Sequence, residues 1–128
     1  MERMNAPGLS DTPGYSHAAV AQKGGLVLTA GAVPLDADGD LVGPGDYAAQ
    51  TRQVLDNLGL ALEAAGSRGA AVLKTTVYVV AEKREDLSEV WRVVQESEVA
   101  AAASTLLGIS LLGYEGQLVE IEAIAVIG

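Results

Sequence analysis

The C-terminal run 118–127, which reads LVEIEAIAVI, constrains the fold more than any other part of the sequence. Its alternation with a period of two predicts a β-strand with Glu120 and Glu122 on one face and Val119 and Ile121 on the other. A buried carboxylate needs a hydrogen-bond donor, a cation or a proton, because an unpaired buried charge costs several kcal/mol. The chain must therefore cover one face of this strand and provide partners for two carboxylates on the other.

The composition predicts one compact domain. The chain has 128 residues, of which 49% are apolar, and single domains commonly hold about 100–150 residues. It contains no cysteine, which excludes disulfide frameworks, thiolate metal sites and thiol nucleophiles. It also contains no phenylalanine, so we expect a core of valine, leucine, isoleucine and alanine.

The charge limits the expected partners. The chain has 17 acidic and 8 basic residues, a formal charge of −9, which repels polyanions. No run approaches the roughly 20 apolar residues that span a bilayer, and the first residues lack the apolar run of a secretory signal. We therefore expect a cytoplasmic protein with neither nucleic-acid nor membrane partners.

Turn, cap and periodicity signals predict the element order β-β-(β)-α-β-α-β-β, preceded by irregular backbone. The first helix is expected to follow the N-cap Asp46 and to end before Gly66. The second is expected to begin at Asp86, which has Glu89 three residues later in the manner of a capping box. The predicted strands are 15–22, 26–30, 72–81, 105–112 and 117–127, with a short one at 41–42, and 72–81 is expected to be buried on both faces.

This order predicts an α+β fold with both helices packed on one face of a sheet. The opposite face then needs a cover. In a chain this small and apolar, we expect further copies of the chain to provide it, which predicts a closed homo-oligomer.

Metal and nucleotide motifs are weak or absent. Asp36, Asp38 and Asp40 resemble the start of a calcium loop, but the glutamate that closes an EF-hand is missing. His17 is the only histidine, which excludes a multi-histidine metal site. No glycine-rich phosphate loop has the required spacing and following helix. We expect no metal and no cofactor.

The candidate proton carriers are few. Glu120 is a proton carrier if a cleft raises its pKa, whereas the alternative is that a glutamate of this strand faces water or pairs with Lys74. Lys74 is the only cation of the strand 72–81. Tyr15 and His17 lie two apart, so on a strand they point the same way, although a lone histidine is more often a packed or surface residue.

Six segments between Tyr15 and the C-terminus carry a family resemblance, in order and at ordinary gaps. They are YSHA (15–18), TAGAVP (29–34), QTRQVLDNL (50–58), AAG (64–66), VLKTTVY (72–78) and VEIEAIA (119–125). Together they resemble the YjgF/RidA (Rid) family. The resemblance implies a chorismate-mutase-like fold, with residues 1–14 as an N-terminal arm and 15–128 as a single RidA-like domain. It also implies a homotrimeric barrel with clefts between subunits, and cofactor-free hydrolysis of reactive enamines and imines to a keto acid and ammonia.

Three cleft positions of the family carry over to this sequence by resemblance. Tyr15 would hold or protonate the substrate, the backbone around Gly31 would line the cleft, and Glu120 would position the attacking water. His17 stands where an amide is more usual, and would share proton transfer near neutral pH.

The resemblance also shows departures. Active deaminases of the family carry an arginine that clamps the substrate carboxylate in a stretch that here reads AAAST (101–105), and Ala103 stands in its place. Trp91 stands where several members have an asparagine, although its helical spacing is also typical of a core residue. The expected substrate contacts are Ala103, Trp91 and Thr105, together with Gly31.

The missing arginine predicts altered substrate preference and weak hydrolysis of 2-aminoacrylate. Two alternatives stay open at this point. One is a tautomerase or cyclase that uses the same cleft for a substrate without a carboxylate. The other is a trimer that binds a small molecule without catalysis.

Overall fold

The computed structural model describes residues 2–12, 17–21 and 25–127. Two helices pack on one face of a six-stranded mixed sheet with the strand order β1-β2-β3-β6-β4-β5. The elements are β1 (Glu2–Met4), β2 (Ala18–Ala21), β3 (Leu26–Thr29), α1 (Tyr47–Ala64), β4 (Val72–Val80), α2 (Arg84–Gln95), β5 (Ala103–Ile109) and β6 (Val119–Val126), with a short 3-10 turn at Gly69–Ala71. The predicted α+β fold with both helices on one face is confirmed.

The C-terminal strand β6 lies inside the sheet, between β3 and β4, and is antiparallel to both. Its residues Val119 and Ile121 are fully buried under the helices, as their alternation predicts. Strands β4 and β5 pair in parallel and are joined by α2, which is the crossover that a parallel pair requires.

The helix α1 begins and ends where the sequence predicts. The carboxylate of Asp46 accepts a hydrogen bond from the backbone N of Ala49 at 3.0 Å, which caps the first turn. Gly66, with φ +83°, follows the last turn, in the left-handed conformation that favours glycine. Val54, Leu58 and Leu62 form the buried stripe of this helix.

The predicted start of α2 is wrong. The helix begins at Arg84, so Asp86 is its third residue rather than its cap. The Asp86 carboxylate instead reaches back and accepts hydrogen bonds from the backbone N of Glu82 and of Lys83, at 3.0 and 3.3 Å. The sequence alone does not distinguish a carboxylate in the first turn from one at the cap, since both satisfy free N–H groups.

Four strand predictions also need correction. Residues 2–4 form β1, although irregular backbone was expected there, and Leu41 makes only a single bridge to Leu35. Strand β5 runs from Ala103 to Ile109 rather than over 105–112. Burial in β4 alternates instead of extending to both faces, because the helices cover only one side of the sheet.

We call the sheet face opposite the helices the open face. In the described part of the chain no helix covers it, and it combines apolar with polar side chains. Its exposed large apolar residues, 37 to 44% accessible, are Leu26, Leu28, Leu107, Ile124 and Val126. None of the described helices combines the length and apolar character needed to cross a bilayer.

Candidate functional site

Glu120 is a half-buried carboxylate on the open face, directly across from Tyr78 of β4. Burial raises its pKa, while a hydrogen bond from Gln117 Nε2 to Glu120 Oε1, at 3.2 Å, opposes the rise, and the nearby charge of Glu122 adds to it. The net effect is a raised pKa. A raised pKa moves a carboxylate toward the neutral range in which a general acid or base is most effective.

Gly31 and Glu120, both predicted as site residues, lie against each other. A Cβ atom at Gly31 would stand only 2.1 Å from Glu120 Oε2. Backbone hydrogen bonds between Ala32 and Ile121, at 2.8 and 3.2 Å, hold the two segments at this distance. The position must therefore be a glycine if the carboxylate is to keep this orientation.

Glu122 has a partner that the sequence analysis missed. Its Oε1 accepts a hydrogen bond from the Tyr78 hydroxyl at 2.9 Å, and this bond raises the pKa of Tyr78. Lys74 does not pair with either glutamate, because its Nζ donates to Thr105 Oγ1 at 2.7 Å. The alternation of polar residues Lys74, Thr76 and Tyr78 along β4 is a sequence signal that could have identified Tyr78 as a neighbour of the glutamates.

Ala103 and Thr105 lie on the open face of β5, on the far side of β4 from the glutamates. Ala103 is paired with Lys74, and Thr105 is paired with Thr76, which in turn faces Glu122. Two strand spacings, about 10 Å, separate the Thr105 and Glu122 backbones. Both predicted contacts therefore share a face with Glu120 without touching it.

Trp91 lies on the other side of the sheet from Glu120. It packs against the core from α2 and lines a groove of about 440 Å³ between this helix and β5. Arg84, Leu87 and Leu106 line the same groove. Within one chain, the structure therefore does not bring Trp91 together with the carboxylate.

His17 anchors the N-terminal segment. Its Nδ1 accepts a hydrogen bond from the backbone N of Ala6 at 2.8 Å, and its own backbone N donates to Asn5 Oδ1 at 3.1 Å. Burial lowers the pKa of His17, against smaller opposing contributions from a backbone hydrogen bond at Ser10 and from Asp11. The neutral imidazole thus serves as an acceptor for this segment. Tyr15, the other predicted residue of this region, lies outside the described residues.

The three aspartates of the loop 36–40 converge, with carboxylate oxygens within 4.8 Å of one another. One oxygen, Asp36 Oδ1, accepts hydrogen bonds from the backbone N of Asp38 and of Asp40, both at 3.0 Å. This is an aspartate turn, and Gly39, with φ +86°, completes it. The turn accounts for the close approach of the three residues.

Comparison with known proteins gives consistent matches over most of the chain. A family model described as Endoribonuclease L-PSP matches residues 6–127. A RutC family protein of Pyrococcus horikoshii is 36% identical over 116 residues, which cover 87% of this chain and 85% of that protein. The 2-iminobutanoate/2-iminopropanoate deaminase of Escherichia coli K12 is 43% identical over 56 residues, 44% of this chain and 43% of that protein.

Comparison with solved structures agrees with the sequence matches. The crystal structure of the YjgF gene product from E. coli matches with a TM-score of 0.81 and 29% identity, and the match covers 98% of both chains. The sequence model spans nearly the whole chain, and the mixed sheet with two helices on one face is that of this structure. The chain therefore belongs to the YjgF/RidA family, whose sequence model is described as Endoribonuclease L-PSP.

Proposed function

We propose that this chain is a Rid-type hydrolase that deaminates a reactive enamine or imine, with Glu120 as the group that activates water. Family membership and the deaminase name of the E. coli relative support the reaction class. The observation that carries the proposal is the half-buried Glu120 carboxylate, whose pKa burial raises and whose Oε2 lies over Gly31.

The proposed chemistry needs one proton carrier and no cofactor. An enamine first gains a proton on carbon, loses one from nitrogen and becomes an imine. Glu120 then accepts a proton from water as the oxygen adds to the imine carbon, and gives it to the nitrogen, which forms a carbinolamine. It next accepts the hydroxyl proton and passes it to the nitrogen as the C–N bond breaks and ammonia leaves. The balance is imine plus water to carbonyl compound plus ammonia. We assign to Tyr15 the holding or protonation of the substrate.

We further propose that the cleft is completed between copies of the chain in a homotrimer. The open face supports this, because its exposed leucine, isoleucine and valine side chains form adjacent pairs across β3 and β6, Leu26 with Val126 and Leu28 with Ile124. Burial of such a surface between copies is favourable. Assembly would also bring residues of a second chain toward Glu120, which one chain alone leaves distant from Ala103, Thr105 and Trp91.

The substrate preference follows from the surroundings of Ala103. An alanine side chain offers no donor to a substrate carboxylate, and the adjacent cation Lys74 directs one of its three N–H donors to Thr105. We therefore propose that the preferred imine lacks a carboxylate or binds it weakly. The same observation favours the second candidate, a tautomerase or cyclase that acts on an uncharged substrate at the same carboxylate.

RNA cleavage is not proposed, although the family description names an endoribonuclease. The formal charge of −9 per chain, which a trimer triples, opposes the approach of a polyanion.

A panel of cyclic and linear imines, each with a no-enzyme control, tests the proposal. A hydrolase accelerates loss of the imine, releasing one ammonia per carbonyl product from a linear N-unsubstituted imine and an open-chain amino carbonyl compound from a cyclic one. A tautomerase or cyclase consumes substrate without forming either hydrolysis product. A protein that only binds slows the spontaneous loss, and that result across the whole panel would refute the catalytic proposal.

A further inference from the structure

Gln117 is a buried amide that contacts the candidate catalytic carboxylate. It is 3% exposed, and its Nε2 donates both to Val119 O, at 3.0 Å, and to Glu120 Oε1, at 3.2 Å. Its Oε1 accepts from the backbone N of Tyr114 at 3.2 Å. These three bonds settle the orientation of the amide, since a flipped group would point its oxygen at two acceptors.

A second buried amide holds the turn on which Gln117 lies. Gln50 of α1 is fully buried, and its Oε1 accepts from the backbone N of Leu118 at 2.8 Å. Its Nε2 donates to Gly116 O at 3.0 Å and to Gly43 O at 3.2 Å. The residues on both sides of Gln117 are therefore tied to the same helix side chain.

The two oxygens of Glu120 thus have different surroundings. Oε1 is bound by Gln117, whereas Oε2 is the oxygen that a Cβ at Gly31 would strike. The two oxygens are chemically equivalent, so the donor fixes the plane of the carboxylate rather than the identity of each oxygen. One oxygen is held by Gln117 while the other lies beside the glycine.

We propose that Gln117 is a positioning residue that fixes the Glu120 carboxylate through Oε1 and presents Oε2 to the substrate, and that Gln50 holds the turn from which it does so. The inference rests on the proposed function for the role of the carboxylate. It extends that function by naming the side chains that set its geometry and its ionisation.

The other groups that face Glu120 give the direction of the effect. Glu122, on the same strand, raises the pKa of Glu120, and burial raises it more. Tyr78 faces it from β4 and is bound to Glu122, while the segment at Gly31 carries no titratable side chain. Gln117 is the donor that lowers this pKa, because a hydrogen bond to a carboxylate favours its charged form.

The test is the substitution Gln117→Leu, which keeps a similar volume without the donor. We expect the pKa of Glu120, followed by NMR of its labelled carboxyl carbon, to rise. The acid limb of kcat/KM should move to higher pH, with a loss of about tenfold on that limb. A substitution that only loosened the fold would expose the carboxylate and lower its pKa, since burial is the largest cause of the rise. An unchanged titration in the folded variant would overturn the proposal.

Gln53→Leu is the matched control. Gln53 lies one turn from Gln50 on α1, and it bonds Leu35 O and Asn57 Oδ1 rather than the 116–118 turn. The titration of Glu120 should be unchanged in this variant.

The wild-type protein provides a readout that does not depend on the folding of Gln117→Leu. The side-chain amide signals of Gln117 should follow the titration of Glu120, and should lose that step in Glu120→Gln. Amide signals of Gln117 that do not change as Glu120 titrates would contradict the proposal. If the titration shifts as expected but no imine is hydrolysed, the positioning role stands and the proposed hydrolase activity fails.

Discussion

The charged Glu120 side chain should lower the stability of the folded protein at neutral pH, and its replacement should reveal this. Its pKa is raised in the fold, so the protonated form is favoured there. Its contribution to stability is complete below the ordinary glutamate pKa and is lost as the pH rises through the folded value. Glu120→Gln should therefore melt a few degrees above the wild type at pH 7, and this advantage should shrink near pH 4.

Thermal unfolding at the two pH values checks this prediction. Glu63→Gln, an exposed position on α1, is the control and should change the melting temperature little at either pH. A lower melting temperature for Glu120→Gln at pH 7 would show that the charged form stabilises the fold.

Gly31→Ala should lower activity while the protein stays folded. The new Cβ would collide with the end of the Glu120 side chain, which can move, so the fold should persist. Displacement of the carboxylate should lower kcat/KM by about a hundredfold. Gly59→Ala, where a Cβ meets nothing within 4 Å, is the matched control and should keep full activity. Equal activity in the two variants would contradict the role of Gly31.

At the residue scale, the sequence predicted which side chains share a face but not which ones touch. The period of two placed Glu120 and Glu122 together correctly. The partner Gln117 depends on a turn that no local pattern shows. The polar alternation of β4 indicates that Tyr78 shares a face of its strand with Lys74 and Thr76, but not the β4–β6 register that brings it to Glu122. The pairing of Lys74 with Thr105 likewise follows from the parallel β4–β5 register.

At the scale of elements, buried amides tie α1 to the loops around the site. Gln50→Leu would leave the backbone N of Leu118 and the carbonyl oxygens of Gly116 and Gly43 without this partner. We expect a loss of about 2–4 kcal/mol in the free energy of unfolding, since unmet buried polar groups are costly.

Urea unfolding at one fixed protein concentration measures this loss. Gln53→Leu, on the same helix but half-buried, should cost less than about 1 kcal/mol. Equal losses for the two variants would contradict a specific role for Gln50 in holding the turn.

The elements that the sequence predicted best are those with strong local signals. Asp46 and Gly66 bracket α1 because capping and the left-handed conformation are local requirements. Strand β1 was missed because its three residues exist as a strand only through pairing with β2. The burial of β4 was misjudged because the sequence does not show that the helices leave one face open.

For the whole molecule, the open face should decide the oligomeric state. Leu28→Lys places a charge among the apolar side chains of this face, and should convert the proposed trimer to smaller species. Leu60→Lys alters a similarly exposed leucine, 38% against 44%, on the helical side, and should leave the assembly intact. Size-exclusion chromatography with light scattering compares them. A wild-type monomer would contradict the shared cleft.

The most direct test of the catalytic role of Glu120 is the rate of ammonia release from freshly generated linear imines. The wild type, Glu120→Gln and Glu122→Gln are compared. Glu122 shares the strand and the face but is bound to Tyr78, so it is the matched control. We predict that Glu120→Gln loses at least about a hundredfold in kcat/KM, while Glu122→Gln stays within a few-fold of the wild type. Full activity in Glu120→Gln would contradict the assignment of Glu120 as the catalytic carboxylate.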